Sequence, residues 1–184
     1  PSNFRPYIFS LEELKRIFEP ARTRNPAGDR ALVYFVIYAC GLRASEATHL
    51  RIRDFDGEQG TLFIENSKFG KDRLLPLHRH VVDRVQSFQD ECRVGAPPES
   101  PLFPQPNGRP YRPRQLSVFF RVHLVGLGLY RATREVQGVR YGSTRLHSLR
   151  HSFAVHRLLR WYREGADVQS KLPLLSTYLG HSNI

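Results

Sequence analysis

The stretch His147-Ser148-Leu149-Arg150-His151-Ser152-Phe153-Ala154 shapes the interpretation of this sequence, because its apolar positions follow the spacing of a helix. The apolar side chains of one face are Leu149, Phe153, Ala154 and Leu158. We predict a helix from Ser148 to Trp161. His147 and Arg150 lie three residues apart, on one side of its first turn. With the positive end of the helix dipole, these two side chains could bind one anionic group.

Two other interpretations of this stretch are open on its residues alone. His147 could cap the helix while Arg150 lies on the surface. His147 and His151 are also spaced four residues apart, as in some zinc sites, but no acid stands between them as in a His-Glu-x-x-His motif. The sequence therefore predicts no metal site.

A second polar position follows the most apolar segment of the chain. Ala31 to Ala39 has the length and apolar character of a buried helix that ends at Gly41. Ser45 can cap the next short helix, from Glu46 to about Leu50. Arg43 stands between the two helices, and as an isolated residue it could be a structural arginine paired with Glu46.

Two short apolar runs, Thr61 to Ile64 and Arg73 to Leu77, predict a β-hairpin. The turn between them contains Lys68, Gly70 and Lys71. Pro76 lacks the N–H that a central strand needs, so we expect the second run to be an edge strand.

The remaining segments are mostly helical in pattern. Ser10 and Glu13 form a capping box, which predicts a helix to about Glu19. The other predicted segments are a loop over Pro20–Gly28, helices over His80–Cys92 and Gln115–Leu127, a long loop over Gly128–Arg145, and a helix over Lys171–Leu179 closed by Gly180. This pattern predicts an α+β fold, mostly helical with a small antiparallel sheet.

Composition indicates one domain that binds a polyanion. The chain has 184 residues, 40% of them hydrophobic, and a formal net charge of +11. Residues 109–163 contain twelve arginines and a single acidic residue, Glu135. This excess of arginine fits a phosphate-binding surface better than a merely solvated one, because one guanidinium group can donate two hydrogen bonds to phosphate oxygens.

Cysteines and hydropathy bear on the compartment. Two cysteines, Cys40 and Cys92, are too few for a disulfide scaffold, so we expect reduced thiols. The longest apolar run, Ala31 to Cys40, is half the length of a membrane-spanning helix. We expect a soluble, cytoplasmic protein with no membrane partner.

The order of these motifs resembles the tyrosine recombinases, also called phage integrases or Xer-type recombinases. The matching boxes are Gly41-Leu42-Arg43-x-Ser45-Glu46, Lys68 before Arg73-Leu74-Leu75-Pro76-Leu77, His147-x-x-Arg150-His151, and Leu179-Gly180-His181-Ser182. The resemblance extends from about Phe9 to Ile184. It implies the catalytic domain of an enzyme that cuts and rejoins DNA in site-specific recombination, with the fold of the DNA breaking-rejoining enzymes.

The resemblance implies a role for each matched residue. Arg43 and Arg150 would clamp the scissile phosphate and stabilise the charge of its pentavalent transition state. Lys68 would protonate the leaving 5′ oxygen. His147 and His181 would hydrogen-bond the phosphate and help move the proton of the nucleophile, since histidine titrates near neutrality.

The resemblance also implies a set of DNA contacts. The register of the hairpin favours Lys68 over Lys71 as the catalytic lysine, and Lys71 then becomes a phosphate contact. The expected DNA-binding side chains are Arg43, Lys68, Lys71, Arg114, Arg145 and Arg150.

The family's nucleophilic tyrosine follows the Leu-Gly-His box by roughly nine residues. No tyrosine of this sequence matches that position; Tyr178, for example, precedes the box. We therefore expect residues 1–8 to be the end of an interdomain linker, and residues 9–184 to be a catalytic domain cut before its nucleophile. Phosphotyrosine chemistry conserves the bond energy, so no cofactor is expected.

The expected partners are duplex DNA, further copies of the protein in a tetramer, a missing N-terminal domain and a missing C-terminal segment. Three alternatives are kept beside the recombinase. They are a type IB topoisomerase-like enzyme, a non-catalytic DNA-binding relative, and a basic domain that binds RNA.

Overall fold

The computed structural model describes residues 3–22, 25–67 and 71–180, and these residues form two compact units. Unit 1 comprises Pro1–Ala44 and Arg112–Arg157, and unit 2 comprises Ser45–Tyr111 and Leu158–Ile184. Helices dominate, with two small three-stranded sheets. The predicted α+β class is confirmed, although one of the sheets is mixed rather than antiparallel.

Unit 1 contains strands and helices from both of its chain segments. They are β1 (Phe4–Arg5), α1 (Leu11–Phe18), a 3₁₀ turn (Glu19–Arg22), α2 (Pro26–Ala39), α5 (Pro113–Gly126), β5 (Arg134–Val136), β6 (Val139–Tyr141) and the first part of α6 (Leu146–Arg163).

The first two helices begin at recognisable sequence signals. The predicted capping box of α1 is present, with Ser10 accepting from the Glu13 amide and Glu13 accepting from the Ser10 amide. Helix α2 begins at Pro26, so the prediction of a loop through Gly28 was wrong. Proline suits the first helical position, where its missing N–H has no partner to lose.

The sheet of unit 1 contradicts the predicted long loop over Gly128–Arg145. Strands β5 and β6 form an antiparallel hairpin, and β1 pairs with β6 in parallel. The turn between β5 and β6 is Gln137-Gly138, with φ of 49° and 73°. Two residues with positive φ are the geometry of a type I′ hairpin turn.

The core of unit 1 is aromatic. Tyr34 of α2 contacts Phe120 of α5 with ring centroids 4.8 Å apart, and Phe9 contacts Phe120 at 6.1 Å. All three side chains are buried, as is Leu149 of α6. Burial on this scale stabilises a domain by about 25 cal/mol per Å² of apolar surface. Helix α6 is thereby fixed against the rest of the unit.

Unit 2 contains the predicted hairpin. Its elements are α3 (Ala44–His49), whose first residue belongs to unit 1, a 3₁₀ turn (Ile52–Asp54), β2 (Phe55–Asp56), β3 (Thr61–Ser67), β4 (Lys71–Pro76), α4 (Arg79–Cys92), the second part of α6, and α7 (Val168–Leu179). The sheet order is β2-β3-β4, so β4 is an edge strand and ends at Pro76 as expected.

Two helix starts differ from the predictions. Helix α3 begins at Ala44, so Ser45 lies inside it and is not its cap. Helix α7 begins at Val168, three residues before the expected Lys171, because Asp167 caps it by accepting from the amides of residues 169 and 170. Its end is as predicted, with Gly180 left-handed at φ 66°.

None of the helices in the described ranges is long and apolar enough to cross a bilayer.

Candidate functional site in unit 1

The N-terminal turn of α6 presents the polar side chains of the site. Ser148 stabilises this turn: its hydroxyl accepts from the amide of Arg145 at 3.2 Å, and its own amide donates to the Arg145 carbonyl at 2.8 Å. Such reciprocal bonds satisfy N–H groups that a helix start otherwise leaves without partners. The turn therefore holds His147 and Arg150 at fixed positions.

Arg150 is the buried cation of the site. It is only 4% exposed, and its Nη1 donates to the carbonyl of Gly41 at 2.6 Å. Gly41 ends α2 in the left-handed conformation, with φ 61°. The Leu42 amide donates to Ile37 at 3.0 Å, which completes a Schellman motif. The end of α2 thus turns a backbone carbonyl onto Arg150.

Arg43 follows Gly41 by two residues and is half-buried. Its positive charge is among the causes that lower the pKa of His147, so the two side chains are close enough to interact. The structure therefore brings three of the predicted site residues, Arg43, His147 and Arg150, into one region of unit 1.

His147 is surrounded by positive charge. Partial burial is the largest cause that lowers its pKa to about 4, followed by the charges of His151, Arg150, Arg145 and Arg43. The imidazole keeps an exposed edge. The expected titration near neutrality was wrong for His147, because a sequence does not show how many cations surround a ring. At pH 7 the ring is neutral, with one nitrogen donor and one acceptor.

His151 is a member of this cluster that sequence reasoning considered only as a metal ligand. Its ring meets that of His147 edge to face, with centroids 4.5 Å apart and planes at 85°. Burial lowers its pKa as well, with contributions from Arg150 and Arg145. The spacing of four residues was the available signal, because it places both rings on one helix face.

A cavity of about 200 Å³ opens beside the two histidines. Its walls are formed by Phe4, Pro6, Tyr7, Gly142, Ser143, Arg145, His147, Ser148 and His151. The segment before α1 and the segment before α6 thus meet at the site.

The other expected site residues lie in different places. Lys68 and His181 fall outside the described residues, and so does the side chain of Lys71, which begins β4. Arg114 is exposed in the first turn of α5, and Arg145 is exposed at the cavity.

Glu46, the suggested partner of a structural arginine, belongs to unit 2. There it accepts two parallel hydrogen bonds from Arg73, each 2.9 Å long. Both side chains are buried, at 5% and 11% exposure. This bidentate geometry is the strong form of a carboxylate–guanidinium pair.

Within residues 3–22, 25–67 and 71–180, no group of three or more His, Cys, Asp or Glu side chains is arranged to hold a metal ion.

Comparison with known proteins places these residues in a family. The model of the phage integrase family matches residues 8–184. A putative integrase/recombinase of Sinorhizobium fredii, y4rB, is 33% identical over 202 residues, covering 100% of this chain and 60% of the relative. The tyrosine recombinase XerC of Bradyrhizobium diazoefficiens is 31% identical over 155 residues, covering 84% and 42%. The chain thus spans about half the length of its curated relatives.

Solved structures share the fold. The XerA recombinase superposes with a TM-score of 0.74 at 22% identity, covering 100% of this chain and 57% of that one. A lambda integrase tetramer bound to a Holliday junction gives 0.63 at 17% identity, covering 97% and 48%. The family match extends over nearly the whole sequence, including both units. The chain therefore belongs to the phage integrase family of tyrosine recombinases.

Proposed function

We propose that this chain binds the scissile phosphate of duplex DNA for a site-specific recombinase that acts through a 3′-phosphotyrosine. The observation that carries the proposal is the position of Arg150. Its guanidinium is buried and held by the Gly41 carbonyl, at the N-terminal turn of α6 where His147 also stands. Cations fixed in this way need no reorganisation when negative charge develops on a phosphate.

In this proposal Arg43 and Arg150 bind the non-bridging oxygens of the phosphate. A guanidinium has five N–H donors, and the Gly41 carbonyl accepts one of those of Arg150. The positive end of the α6 dipole adds to the attraction. The same charges that lower the pKa of His147 thus favour an anion beside it.

The chemical step exchanges one phosphoester bond for another. The phenol oxygen of the tyrosine attacks phosphorus, and the bond from phosphorus to the 5′ oxygen breaks. His147 is neutral, so its ring can accept the phenol proton, while Lys68 supplies a proton to the 5′ oxygen. His181 hydrogen-bonds the phosphate. We place the tyrosine itself outside these 184 residues.

The same proposal covers the organisation of the larger protein. We place the catalytic domain at residues 9–184 and the end of an interdomain linker at residues 1–8, a linker end that contributes β1 to the sheet of unit 1. Lys71, Arg114 and Arg145 are further DNA contacts. The protein acts on DNA in the cytoplasm as a tetramer of identical subunits. Two related structures support this proposal: a lambda integrase was solved as a tetramer bound to a Holliday junction, and XerH was solved bound to its difH substrate.

A suicide substrate tests the proposal. The substrate is a duplex nicked near the cleavage position, so that the short 5′-hydroxyl strand diffuses away and the covalent adduct accumulates. The protein extended through its tyrosine should form the adduct, and Arg150→Ala should nearly abolish it. Arg160→Ala is the matched control, because Arg160 lies on the same helix but is exposed and paired with Glu164.

Undiminished adduct in Arg150→Ala would remove Arg150 from the site. Tight DNA binding by the extended wild-type protein with no adduct would instead support a non-catalytic binding module. Preference for structured RNA over duplex DNA at physiological salt would contradict the recombinase proposal altogether.

A further inference from the structure

The three-stranded sheet of unit 1 aligns two arginines and a tyrosine across its strands. In the register of the sheet, Arg5 of β1 pairs with Tyr141 of β6, and Tyr141 pairs with Arg134 of β5. Residues paired in register project from the same face of a sheet. We call Arg5, Tyr141 and Arg134 the arginine row.

The two arginines of the row present their charge to solvent. Both are exposed, and the guanidinium of Arg134 lies over the Tyr141 ring at 5.3 Å from its centroid. A guanidinium stacked on an aromatic face keeps its N–H edge directed outward. In the described part of the chain, neither Arg5 nor Arg134 forms an ion pair with a carboxylate.

The opposite face of the sheet differs in charge. There Arg140 pairs in register with Glu135 on one side and with Phe4 on the other. Glu135 would repel an incoming phosphate, and it stands directly across from the one arginine of that face. Only the face of the arginine row is free of acidic residues among the paired positions of this sheet.

The sheet is tied to the candidate site by short covalent and hydrogen-bonded links. The amide of Arg131 donates to the hydroxyl of Thr144 at 2.8 Å, and the amide of Thr144 donates to the carbonyl of Arg131 at 3.0 Å. These bonds close the base of the hairpin. Two residues after Thr144, helix α6 begins with Leu146, followed by His147. The sheet and the N-terminal turn of α6 are therefore joined by a short segment of chain.

From this arrangement we propose that the arginine row is a second phosphate-binding site, which holds the backbone of duplex DNA at a position separate from the scissile phosphate. The choice of duplex DNA rests on the proposed function; the anion site itself rests on the sheet. Each arginine neutralises one phosphate, and Tyr141 supports Arg134 from below. The site reads no sequence, because backbone phosphates carry none.

Salt-dependent binding tests the arginine row. The dissociation constant of the full chain for a 30-base-pair duplex is measured across a range of salt concentrations. Each phosphate contact contributes about 0.9 to the slope of log K against log salt, so Arg5→Gln with Arg134→Gln should lower the slope by about 2. Affinity should fall roughly 2- to 5-fold per arginine. Tyr141→Phe should leave both values unchanged, because the ring remains.

Arg140→Gln is the matched control. It removes the same charge from the same sheet but from the face that carries Glu135, and we expect little change in slope. If Arg140→Gln lowered the salt slope as much as a row arginine does, the effect would come from net charge alone, and the arginine row would be overturned. An unchanged slope in the double variant would overturn it too, as would a change seen with structured RNA but not with duplex DNA.

The suicide substrate separates this inference from the proposed function. The extended protein with Arg5→Gln and Arg134→Gln should still form the adduct at saturating DNA, since neither residue belongs to the scissile-phosphate site. Loss of adduct in Arg150→Ala, together with a lower salt slope in the Arg5→Gln, Arg134→Gln variant, would support both the proposed function and the arginine row. Adduct formation by Arg150→Ala would contradict the proposed scissile-phosphate site. The arginine row would then still be tested by the salt slope of its double variant.

Discussion

Gly41 is the residue on which the position of Arg150 depends. Its φ of 61° is left-handed, which costs a residue with a Cβ about 1–2 kcal/mol. We therefore expect Gly41→Ala to lower the free energy of unfolding by about that amount and to reduce adduct formation, because the carbonyl that holds Arg150 would move. Urea unfolding and the suicide substrate measure the two effects.

Gly126 provides the matched control for this substitution. It is the last residue of α5, and a Cβ there would meet nothing within 4 Å. Gly126→Ala should be neutral or stabilise the protein by up to about 1 kcal/mol. A Gly41→Ala variant as stable and as active as Gly126→Ala would contradict the role given to Gly41.

His147 offers a prediction on pH. Its pKa of about 4 lies below the ordinary 6.5, so the unfolded chain binds the proton more tightly than the folded one. The contribution of His147 to stability is complete above pH 6.5 and is lost as the pH falls toward 4. An NMR titration of the ring should give a midpoint near 4, and His151→Gln should raise it.

The arginines lower the pKa of His147, and a bound phosphate should raise it. An anion beside the ring favours the imidazolium, so saturation with duplex DNA should raise the pKa of His147. A midpoint near 6.5 in the protein without DNA, or no change on adding DNA, would remove His147 from the proposed phosphate site.

At the scale of elements, Thr144 decides whether the hairpin of β5 and β6 is held at its base. Its side chain is buried and accepts from the amide of Arg131. Thr144→Val leaves that donor without its acceptor, which costs about 1–3 kcal/mol. We expect faster hydrogen exchange across residues 131–144. Thr133→Val is the control, because Thr133 lies in the same segment and is exposed.

This hairpin also shows where sequence analysis failed. Gln137-Gly138 stands between Val136 and Val139, and Val139-Arg140-Tyr141 alternates apolar and polar residues, which together are a hairpin signal. The abundance of Gly and Arg in the surrounding segment favoured a loop instead. The partner strand β1 lies more than a hundred residues away, and a pairing of that range leaves no local pattern.

The helices were predicted better because their signals are local. Capping boxes, apolar faces and a terminal glycine located α1, α5, α6 and the end of α7 within a few residues. The predicted start of α2 was too late in the sequence. Asn25 before Pro26 is the signal of a cap followed by a first-turn proline.

For the site, motif order predicted which side chains of unit 1 come together: Arg43, His147 and Arg150. It did not predict the pKa of His147 or the contact with His151, because both depend on burial and on cations from several elements. Lys68 and His181 stay predictions, since they lie outside the described residues.

At the scale of the whole molecule, the net charge of +11 becomes a measurable property of DNA binding. The proposed phosphate contacts are the scissile phosphate, which Arg43 and Arg150 bind together, one phosphate each at Lys71, Arg114 and Arg145, and two in the arginine row. With about 0.9 counterions released per phosphate, log K should fall against log salt with a slope of about −5. The test is to measure the equilibrium binding constant of the 184-residue chain for a duplex at salt concentrations from roughly 50 to 200 mM.

The slope separates a broad phosphate interface from a few scattered contacts. A value near −2 would mean that most of the named arginines and lysines do not contact the backbone, since each contact contributes almost one.

The same chain should bind DNA without cutting it, because the tyrosine is placed outside its 184 residues. Strand cleavage by this chain alone would contradict that placement, and one of its own eight tyrosines would then have to act as the nucleophile.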